Sequence, residues 1–419
     1  MIRVRIAPSP TGEDLHIGNT RTALFNFLFA RHNNGKFIVR IEDTDRARLV
    51  PESEKAIYEI LNWLGLDCDE KYKQSERIEI YKKHEEQLLE KDLAYKDEGA
   101  IRFKMPKNGE TSWDDLIGKK HISFKNETQE DFIIIKSDGF PTYNFANVID
   151  DHLMQISHVV RGEEFISSTP KHIQLYKAFG WEYPLFAHLP IVLGSDKTKL
   201  SKRHGAKSIL DYRNEGFLKD ALLNYMAILG WQPKKIEGDI LNLSQMIDLF
   251  DLNDINTGSP IFDIKKLEWM NGEYIRKTQD SKLKSQIWEY LGKKYSEETI
   301  EKTIPLIKDR IKKLSDYLPL CGFFFNEIEK YEVDLSGKKD MFGKIKSALE
   351  SLTEWNAIKI GETMQKTAKD LGIKNSEFFM LLRVAITGKK ISPPLNESME
   401  ILGKGKVLER LKKVLGKQL

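Results

Sequence analysis

The sequence predicts an α/β fold with a parallel, doubly wound sheet in its first half and an all-helical second half. Residues 2–6 alternate apolar and basic side chains, as a short strand does, and Pro8 and Pro10 forbid its continuation. Residues 19–31 carry apolar side chains at helical spacing, and KFIVRIED follows as a second strand. A strand, a glycine-containing loop, a helix and a strand within about forty residues are typical of a βαβ unit.

The segments that follow extend this pattern. Helical periodicity covers residues 51–64 and 76–93, whereas residues 95–135 contain short strand-like segments separated by polar turns, as an antiparallel insert would. HVVRGEE and FAHLPIVLG then have the apolar character of buried strands. Beyond Arg203 helical patterns dominate. This order predicts a Rossmann-like front half with a small α+β insert, followed by an all-α region.

Composition is typical of a soluble globular protein. The 419 residues exceed one ordinary domain, and 66 basic against 63 acidic side chains give a net charge of only +3. The apolar stretches are too short to span a membrane, and MIRVRIAPSP lacks the apolar run of a signal peptide. Cys68 and Cys321 form neither a disulfide framework nor a zinc knuckle. We therefore expect a cytoplasmic protein, and we expect it to be a monomer.

The stretch APSPTGEDLHIGNTRTA, residues 7–23, joins the first strand to the first helix. A helix that begins near Gly18 directs backbone N–H groups and the positive end of its dipole toward the carboxyl edge of the sheet, which suits a phosphate. Gly12 and Gly18 allow the backbone to approach a ligand closely. His16 can donate a hydrogen bond to a phosphoryl oxygen. A lone loop histidine is more often an ordinary surface residue, so this interpretation needs support from elsewhere in the chain.

That support is DKTKLSKRHG, residues 196–205, where Lys199 and Lys202 flank a Leu-Ser pair in a loop rich in turn-forming residues. Two ammonium groups on flexible stems suit a polyphosphate. Alone, such a segment is more often a solvated loop. Its position after a later strand of the same predicted sheet favours a shared phosphate site with His16.

The two motifs together resemble the signatures of class I aminoacyl-tRNA synthetases, with HIGN for the His-Ile-Gly-His type and KLSKR for the Lys-Met-Ser-Lys-Ser type. Further segments spread over nearly the whole chain resemble the glutamyl-tRNA synthetase family. They are RIAPSPTG, RIEDTDRAR, PTYNFAN, DDH, RGEEF, KLSKRHGA and SPPLNESMEILGK. The match is to the bacterial type of the family in a compact form.

The resemblance implies that glutamate attacks the α-phosphate of ATP and that the glutamyl group then passes to the terminal adenosine of tRNA(Glu), with Mg²⁺ accompanying ATP. The implied catalytic residues are His16, Lys199 and Lys202. The implied ATP-binding residues are Pro8, Ser9, His16, Gly18, Glu164, Lys199, Leu200, Ser201 and Lys202. The implied glutamate-binding residues are Arg5, Ser9, Glu42, Tyr143, Asn147 and Arg161. Among these, Arg5 is expected to bind the side-chain carboxylate, Glu42 the α-amino group, and Glu164 the ATP ribose. An ordinary ion pair between Arg5 and Glu42 is the structural alternative.

The resemblance also implies a domain order. Residues 1–94 and 136–203 correspond to the two halves of the catalytic domain, 95–135 to an insert at the acceptor end, 204–279 to a stem-contact region and 280–419 to an anticodon-binding region. Only KDEGA separates Tyr95 from Ile101, so the insert is expected to be trimmed and to hold no zinc. Residues 403–419 carry six Lys or Arg against one acid, and we interpret this segment as a phosphate-facing surface, with a solvated helix face as the alternative.

Other functions remain open at this point. A non-discriminating member of the family would also glutamylate tRNA(Gln), whereas the paralogue that modifies a tRNA base lacks the anticodon-binding half. A glutaminyl enzyme is disfavoured because Arg161 and RIEDTD suit an acidic substrate. A small-molecule nucleotidyltransferase shares the phosphate chemistry but rarely needs a long helical region. A non-catalytic RNA-binding module is disfavoured because both motifs are intact.

Overall fold

The computed structural model describes residues 1–12, 15–200, 207–234 and 238–416. They form two compact units. The first contains residues 1–214 and 219–267, and the second contains residues 215–218 and the chain from 268 onward.

The strands all belong to the first unit as described. They are β1 (Arg3–Ile6), β2 (Lys36–Ile41), β3 (Glu70–Lys73), β4 (Ala94–Asp97), β5 (Ala100–Phe103), β6 (Glu110–Asp115), β7 (Lys120–Lys125), β8 (Phe132–Ile135), β9 (His158–Gly162) and β10 (Leu185–Leu189). β2 pairs in parallel with β1 and β3, and β10 pairs in parallel with β9 and β6. β1 approaches β9, since the Ser157 N–H donates to the carbonyl oxygen of Arg3 at 2.9 Å. The carboxyl ends of β1, β2, β9 and β10 therefore meet at one edge.

The helices of the first unit cover this sheet. They are α1 (Ile17–His32), α2 (Pro51–Leu64), α3 (Ile78–Glu90), α4 (Tyr143–Leu153), α5 (Thr169–Phe179), α6 (Ile209–Asn214), α7 (Lys219–Ile228) and α8 (Leu243–Leu249). The pattern predicts burial along one side of α1, but the structure also buries Thr20, Arg21 and Asn26. The reason is that α1 packs against α7 and α8 as well as against strands of the sheet.

Residues 94–135 do not form one separate sheet. β4, β5 and β8 make a small antiparallel sheet, whereas the β6–β7 hairpin joins the large sheet at the edge of β10. The pairing of β6 with β10 brings Asp115 next to Phe186. The predicted domain boundaries stay a prediction. The strand order shows, however, that this segment adds β6, with Asp115, to the large parallel sheet.

The second unit is helical throughout its described residues. After α9 (Ile264–Lys277), which begins in the first unit, its helices are α10 (Asp280–Tyr290), α11 (Glu297–Ile307), α12 (Tyr317–Cys321), α13 (Lys339–Glu350), α14 (Ala357–Asp370), α15 (Asn375–Thr387), α16 (Leu395–Leu402) and α17 (Lys404–Gly416). A buried cluster that includes Phe342, Phe378 and Leu411 forms its core. The parallel sheet and this helical unit confirm the predicted fold class. Within the described ranges, no helix has both the length and the apolar composition that crossing a membrane requires.

Arg410 and Lys413, two cations of the basic terminal segment, have partners within the second unit. Arg410, in α17, is buried, and its guanidinium donates to the carbonyl oxygens of Ile386 and Phe323 at 2.5 Å each. Lys413 forms ion pairs with Glu327 and Glu409. A cation count does not show which side chains satisfy buried carbonyl groups, so the phosphate-facing surface stays a prediction for the segment's other basic residues.

Candidate active site

A cavity of about 620 Å³ opens at the carboxyl edge of the parallel sheet. Its walls come from the ends of β1, β2, β9 and β10 and from the first turns of α1, in the ranges 5–9, 15–22, 42–45, 160–165 and 190–192. Open α/β sheets bind ligands at this position because loops at the strand ends splay apart there.

The cavity brings together predicted residues from distant parts of the chain. Those that line it are Arg5, Pro8, Ser9, His16, Gly18, Glu42, Tyr143, Arg161, Glu164, Lys199 and Leu200. Ser201 and Lys202 lie outside the described residues. Asn147 does not line the cavity; it is buried, and its Oδ1 accepts a hydrogen bond from Arg40 Nη2 at 3.4 Å. The structure therefore pairs the Asn147 oxygen with Arg40, and the contact of Asn147 with the amino acid stays a prediction.

His16 caps the amino terminus of α1. Its backbone is extended (φ −96°, ψ 175°), and its Nδ1 accepts a hydrogen bond from the Gly18 N–H at 3.1 Å. In the neutral imidazole the proton is consequently on Nε2, which can donate to an oxyanion. A Cβ on Gly18 would lie 3.1 Å from His16 Cε1, so the glycine leaves room for the ring. The turn combines a helix N-terminus and a fixed imidazole, which suits a phosphate.

Lys199 and Glu164 meet at the rim of the cavity. Lys199 Nζ donates to Glu164 Oε1 at 3.3 Å, and the two side chains are 60% and 42% exposed. Exposed ion pairs contribute at most about 1 kcal/mol. Lys199 can therefore exchange this carboxylate for a phosphate at little cost in free energy.

Beneath the cavity lies a buried ionic network that the sequence analysis did not predict. Arg5 Nε lies 3.0 Å from Asp151 Oδ1, and Arg40 Nη1 lies 2.6 Å from the same oxygen. Arg40 Nη2 also donates to Glu42 Oε1 at 3.0 Å. Asp150, next along α4, accepts hydrogen bonds from Gln74, Arg77 and Tyr81. Arg5 and Glu42 thus have separate partners, contrary to the alternative in which they pair with each other.

Glu42 has the most unusual carboxyl group of the cavity wall. Burial raises its pKa to about 7, although Arg40 and Arg5 act in the opposite direction. Ser9 lies beside it, since the Ser9 hydroxyl donates to the backbone carbonyl of Glu42 at 2.9 Å. A carboxyl poised near neutrality becomes a carboxylate readily when a cation approaches.

Arg161 is a buried cation held only by neutral groups among the described residues. Its hydrogen-bond acceptors are Thr169 Oγ1 (2.8 Å), His172 Nδ1 (3.1 Å), His188 Nε2 (3.2 Å), Tyr143 Oη (3.4 Å) and the carbonyl oxygen of Phe165 (3.4 Å). Burial lowers the pKa of Arg161, but a guanidinium stays protonated at neutral pH. A buried cation without a directly bound carboxylate favours an anionic ligand in the adjoining cavity.

Arg21, like Arg40, is a buried arginine that the sequence analysis did not predict. It is on α1, it lines the cavity, and it donates to the carbonyl oxygens of Leu229 at 2.9 Å and of Pro190. Burial lowers its pKa to about 10. The available signal was the charge itself, because an arginine inside an otherwise apolar helix or strand, like Arg21 or Arg40, requires buried partners.

Within the described part of the chain, no group of three or more His, Cys, Asp or Glu side chains is arranged to hold a metal ion. The cavity instead offers hydrogen-bond donors and cations, which suit phosphate and carboxylate groups.

Comparisons with known proteins identify the family of this chain. Residues 1–100 and 97–269 match a family model described as tRNA synthetases class I (E and Q), catalytic domain, and residues 281–415 match one described as anticodon binding domain. The chain is 41% identical to the glutamate–tRNA ligase of Dehalococcoides mccartyi, over 98% of this chain and 97% of that protein. It is 42% identical to glutamate–tRNA ligase 2 of Thermosipho melanesiensis, over 99% and 98%.

Solved structures give the same result. A crystal structure of a glutamate tRNA ligase from Elizabethkingia meningosepticum, in complex with its amino acid, matches with a TM-score of 0.87 and 33% identity over 99% of both chains. The chain belongs to the glutamate–tRNA ligase family of class I tRNA synthetases.

Proposed function

We propose that this chain is a glutamate–tRNA ligase, which activates L-glutamate with ATP, releases pyrophosphate and transfers the glutamyl group to the 3′-terminal adenosine of tRNA(Glu). The observation that carries the proposal is Arg161, a buried cation at the wall of a cavity that also contains a helix N-terminus and the His16 imidazole. An acidic amino acid and a nucleoside triphosphate together supply the anions that these groups lack.

In the activation step, a carboxylate oxygen of glutamate bonds to the α-phosphorus of ATP while the bond to pyrophosphate breaks. No protein nucleophile is needed, so rate enhancement comes from in-line alignment and from stabilising charge on the phosphoryl oxygens. His16 Nε2 and the N–H groups of the first turn of α1 would face those oxygens. Lys199, together with Lys202, would neutralise the leaving pyrophosphate, and Leu200 and Ser201 would also bind ATP. Mg²⁺ would enter on the ATP phosphates.

Amino-acid recognition is assigned to the opposite wall. Arg161 and Arg5 would bind the two carboxylates, with the side-chain carboxylate at Arg5, and Glu42 would bind the α-ammonium. Arg5 keeps its alignment because Asp151 accepts from its Nε at 3.0 Å and its Nη2 at 3.1 Å. Glutamine would place a neutral amide against these donors, so we expect it to bind more weakly.

Transfer requires the terminal adenosine of tRNA to reach the same cavity. A hydroxyl oxygen of its ribose attacks the carbonyl carbon of glutamyl-adenylate, and AMP leaves. Glu164, at the rim, would bind the ATP ribose. We propose tRNA(Glu) as the tRNA substrate, and we propose that the enzyme is a cytoplasmic monomer.

The first experiment measures exchange of pyrophosphate into ATP with glutamate or glutamine, each with and without tRNA. We expect exchange with glutamate only, and only when tRNA is present. Exchange with glutamine in preference to glutamate, or with neither amino acid, would contradict the proposal. Charging of purified tRNA(Glu) and tRNA(Gln) then decides between a discriminating and a non-discriminating enzyme.

A variant of Arg161 tests whether this buried cation binds glutamate. Arg161→Met keeps an unbranched side chain but removes the cation, and loss of charged hydrogen bonds should raise the KM for glutamate roughly 10- to 150-fold. The KM for ATP should change little. Arg102→Met is the matched control, because Arg102 pairs with Asp97 on the surface of β5, away from the cavity. An unchanged KM for glutamate in Arg161→Met would refute this assignment.

A further inference from the structure

The hydrogen bonds of Arg161 fall into two groups. Three are short and lead away from the cavity, to Thr169 (2.8 Å), His172 (3.1 Å) and His188 (3.2 Å), none of which lines it. The two at 3.4 Å lead to Tyr143 and to the carbonyl oxygen of Phe165, both of which do line it. The short hydrogen bonds therefore fix the guanidinium on the side away from the cavity. On the cavity side, each terminal nitrogen makes one long hydrogen bond. Two such nitrogens match the two oxygens of a carboxylate.

The two histidines are fixed as opposite tautomers. A guanidinium only donates hydrogen bonds, so the nitrogen that faces Arg161 must be unprotonated in each ring. For His172 this nitrogen is Nδ1, and its Nε2–H then donates to Asn144 Oδ1 at 2.9 Å. For His188 it is Nε2, and its Nδ1–H donates to Asp115 Oδ2 at 2.5 Å.

Asp115 is held in place independently of the histidine. Its Oδ1 accepts from the backbone N–H groups of His188 at 3.1 Å and Ile117 at 3.0 Å. Burial alone would raise the pKa of Asp115, but the hydrogen bonds from the His188 ring and from the two backbone N–H groups lower it overall, so the carboxylate is ionised. Burial likewise lowers the pKa of both His172 and His188, which keeps the rings neutral beside the cation. The aromatic rings of Phe165 and Phe186 lie 5.4 and 5.6 Å from the guanidinium carbon.

We propose that His172 and His188, the latter oriented by Asp115, are positioning residues for amino-acid recognition: as neutral acceptors they aim Arg161 at the cavity without neutralising its charge. This inference rests on the proposed function, because it assumes that Arg161 binds a carboxylate of glutamate. An acidic residue at position 172 or 188 would hold the guanidinium equally well, but it would compete with that carboxylate.

Two variants of His172 distinguish the loss of its hydrogen-bond acceptor from the loss of its ring volume. His172→Leu removes the acceptor and should raise the KM for glutamate about tenfold, with kcat and the KM for ATP nearly unchanged. His172→Asn places an amide oxygen near the Nδ1 position and should keep the KM for glutamate within about threefold of the original. His84→Leu is the matched control for loss of a buried histidine, since among the described residues the His84 ring hydrogen-bonds only to the carbonyl oxygen of Ile80 in its own helix and does not line the cavity.

A spectroscopic measurement tests the proposal in the unmodified chain. Imidazole ¹⁵N chemical shifts, assigned with the single variants, should show His172 protonated on Nε2 and His188 protonated on Nδ1 at neutral pH. The same tautomer in both rings, or a charged ring in either, would overturn the proposal whatever the variants do.

The outcomes also separate this proposal from the function on which it rests. If Arg161→Met raises the KM for glutamate and His172→Leu does not, Arg161 binds the amino acid but needs no help from the histidine, and the positioning proposal fails. If both His172→Leu and His172→Asn raise it equally, the acceptor is not the reason, and the proposal fails again. If Arg161→Met itself leaves the KM unchanged, the proposed function of Arg161 has failed first.

Discussion

If Glu42 binds the α-ammonium of glutamate as proposed, its raised pKa predicts that amino-acid binding depends on pH in the physiological range. Its carboxyl group is buried at the end of β2, and only Arg40 donates to its side chain in the described structure, at 3.0 and 3.3 Å. Asp151, the counter-ion of Arg5, adds a repulsive charge nearby. Burial raises the pKa to about 7. Only the carboxylate form can bind the α-ammonium of glutamate, so protonation should weaken binding.

The size of the change in glutamate binding follows from the fraction of Glu42 that is ionised at each pH. With a pKa of about 7, the ionised fraction falls from about 0.9 at pH 8 to about 0.1 at pH 6, and the apparent dissociation constant rises in inverse proportion. We expect the KM for glutamate to rise roughly tenfold between pH 8 and pH 6. Pyrophosphate exchange in the presence of tRNA measures this, and the KM for ATP serves as the internal control.

Stability should change in the opposite direction. A carboxyl whose pKa is higher in the folded chain than its ordinary 4.5 binds more protons when folded, so the free energy of unfolding falls as pH rises from about 4.5 to 7. At 1.36 kcal/mol per pKa unit, the loss approaches about 3 kcal/mol. Glu42→Gln removes this dependence, so the variant should gain stability relative to the original chain as pH rises from 5 to 8.

The variant also provides the refutation. Glu42→Gln should raise the KM for glutamate at pH 8 and abolish its dependence on pH between 6 and 8. If the original chain shows a flat profile in this range, Glu42 is not the binding group or its pKa is not raised. If Glu42→Gln keeps the same inflection, another group titrates, and the reasoning from burial is wrong.

Two further predictions follow from single contacts. Gly18→Ala places a Cβ 3.1 Å from Cε1 and 3.3 Å from Nδ1 of His16, and a displaced imidazole should lower kcat by up to about a hundredfold while the KM for glutamate stays unchanged, measured at saturating ATP. Arg410→Met leaves the carbonyl oxygens of Ile386 and Phe323 without their buried donor, so chemical denaturation should show a loss of about 2–4 kcal/mol with pyrophosphate exchange retained in the folded fraction; a loss below about 0.5 kcal/mol would contradict the buried role.

Local patterns predicted the elements that position the cavity. α2 spans Pro51–Leu64 as predicted, because a proline at its first turn and Gly65 in the left-handed conformation after its last turn are sequence-readable boundaries. The strands β2, β9 and β10 were readable because they are short and mostly apolar, and β1 was readable from its alternating pattern and the prolines that follow it. The junction of β6 with β10 was not, since strand register depends on contacts between residues far apart in the sequence.

The site shows the same division. The predicted residues that line the cavity belong to motifs whose spacing has a chemical reason, such as the imidazole two residues before Gly18. Asp151, His172 and His188 were missed because each acquires its role only through a partner in a different element, and the charge of Arg40 signalled buried partners without saying which ones. The bond between Asn147 and Arg40 was unpredicted for the same reason, since Asn147 shares the α4 face of Tyr143 but lies one turn further along.

Two buried arginines of the cavity wall have different partners: Arg5 bonds to a carboxylate, and Arg161 bonds to neutral groups. Arg5 bonds directly to the Asp151 carboxylate, which reduces the cost of burying it but occupies two of its nitrogen atoms permanently. Arg161 reaches its carboxylate, Asp115, only through the ring of His188, so the charge is partly compensated while the cavity-facing nitrogens keep weak, exchangeable partners. A direct ion pair at Arg161 would make the empty chain more stable and the binding of an acidic amino acid weaker. The neutral imidazole is the arrangement that tolerates a buried cation before the substrate arrives and still leaves it available when the substrate binds.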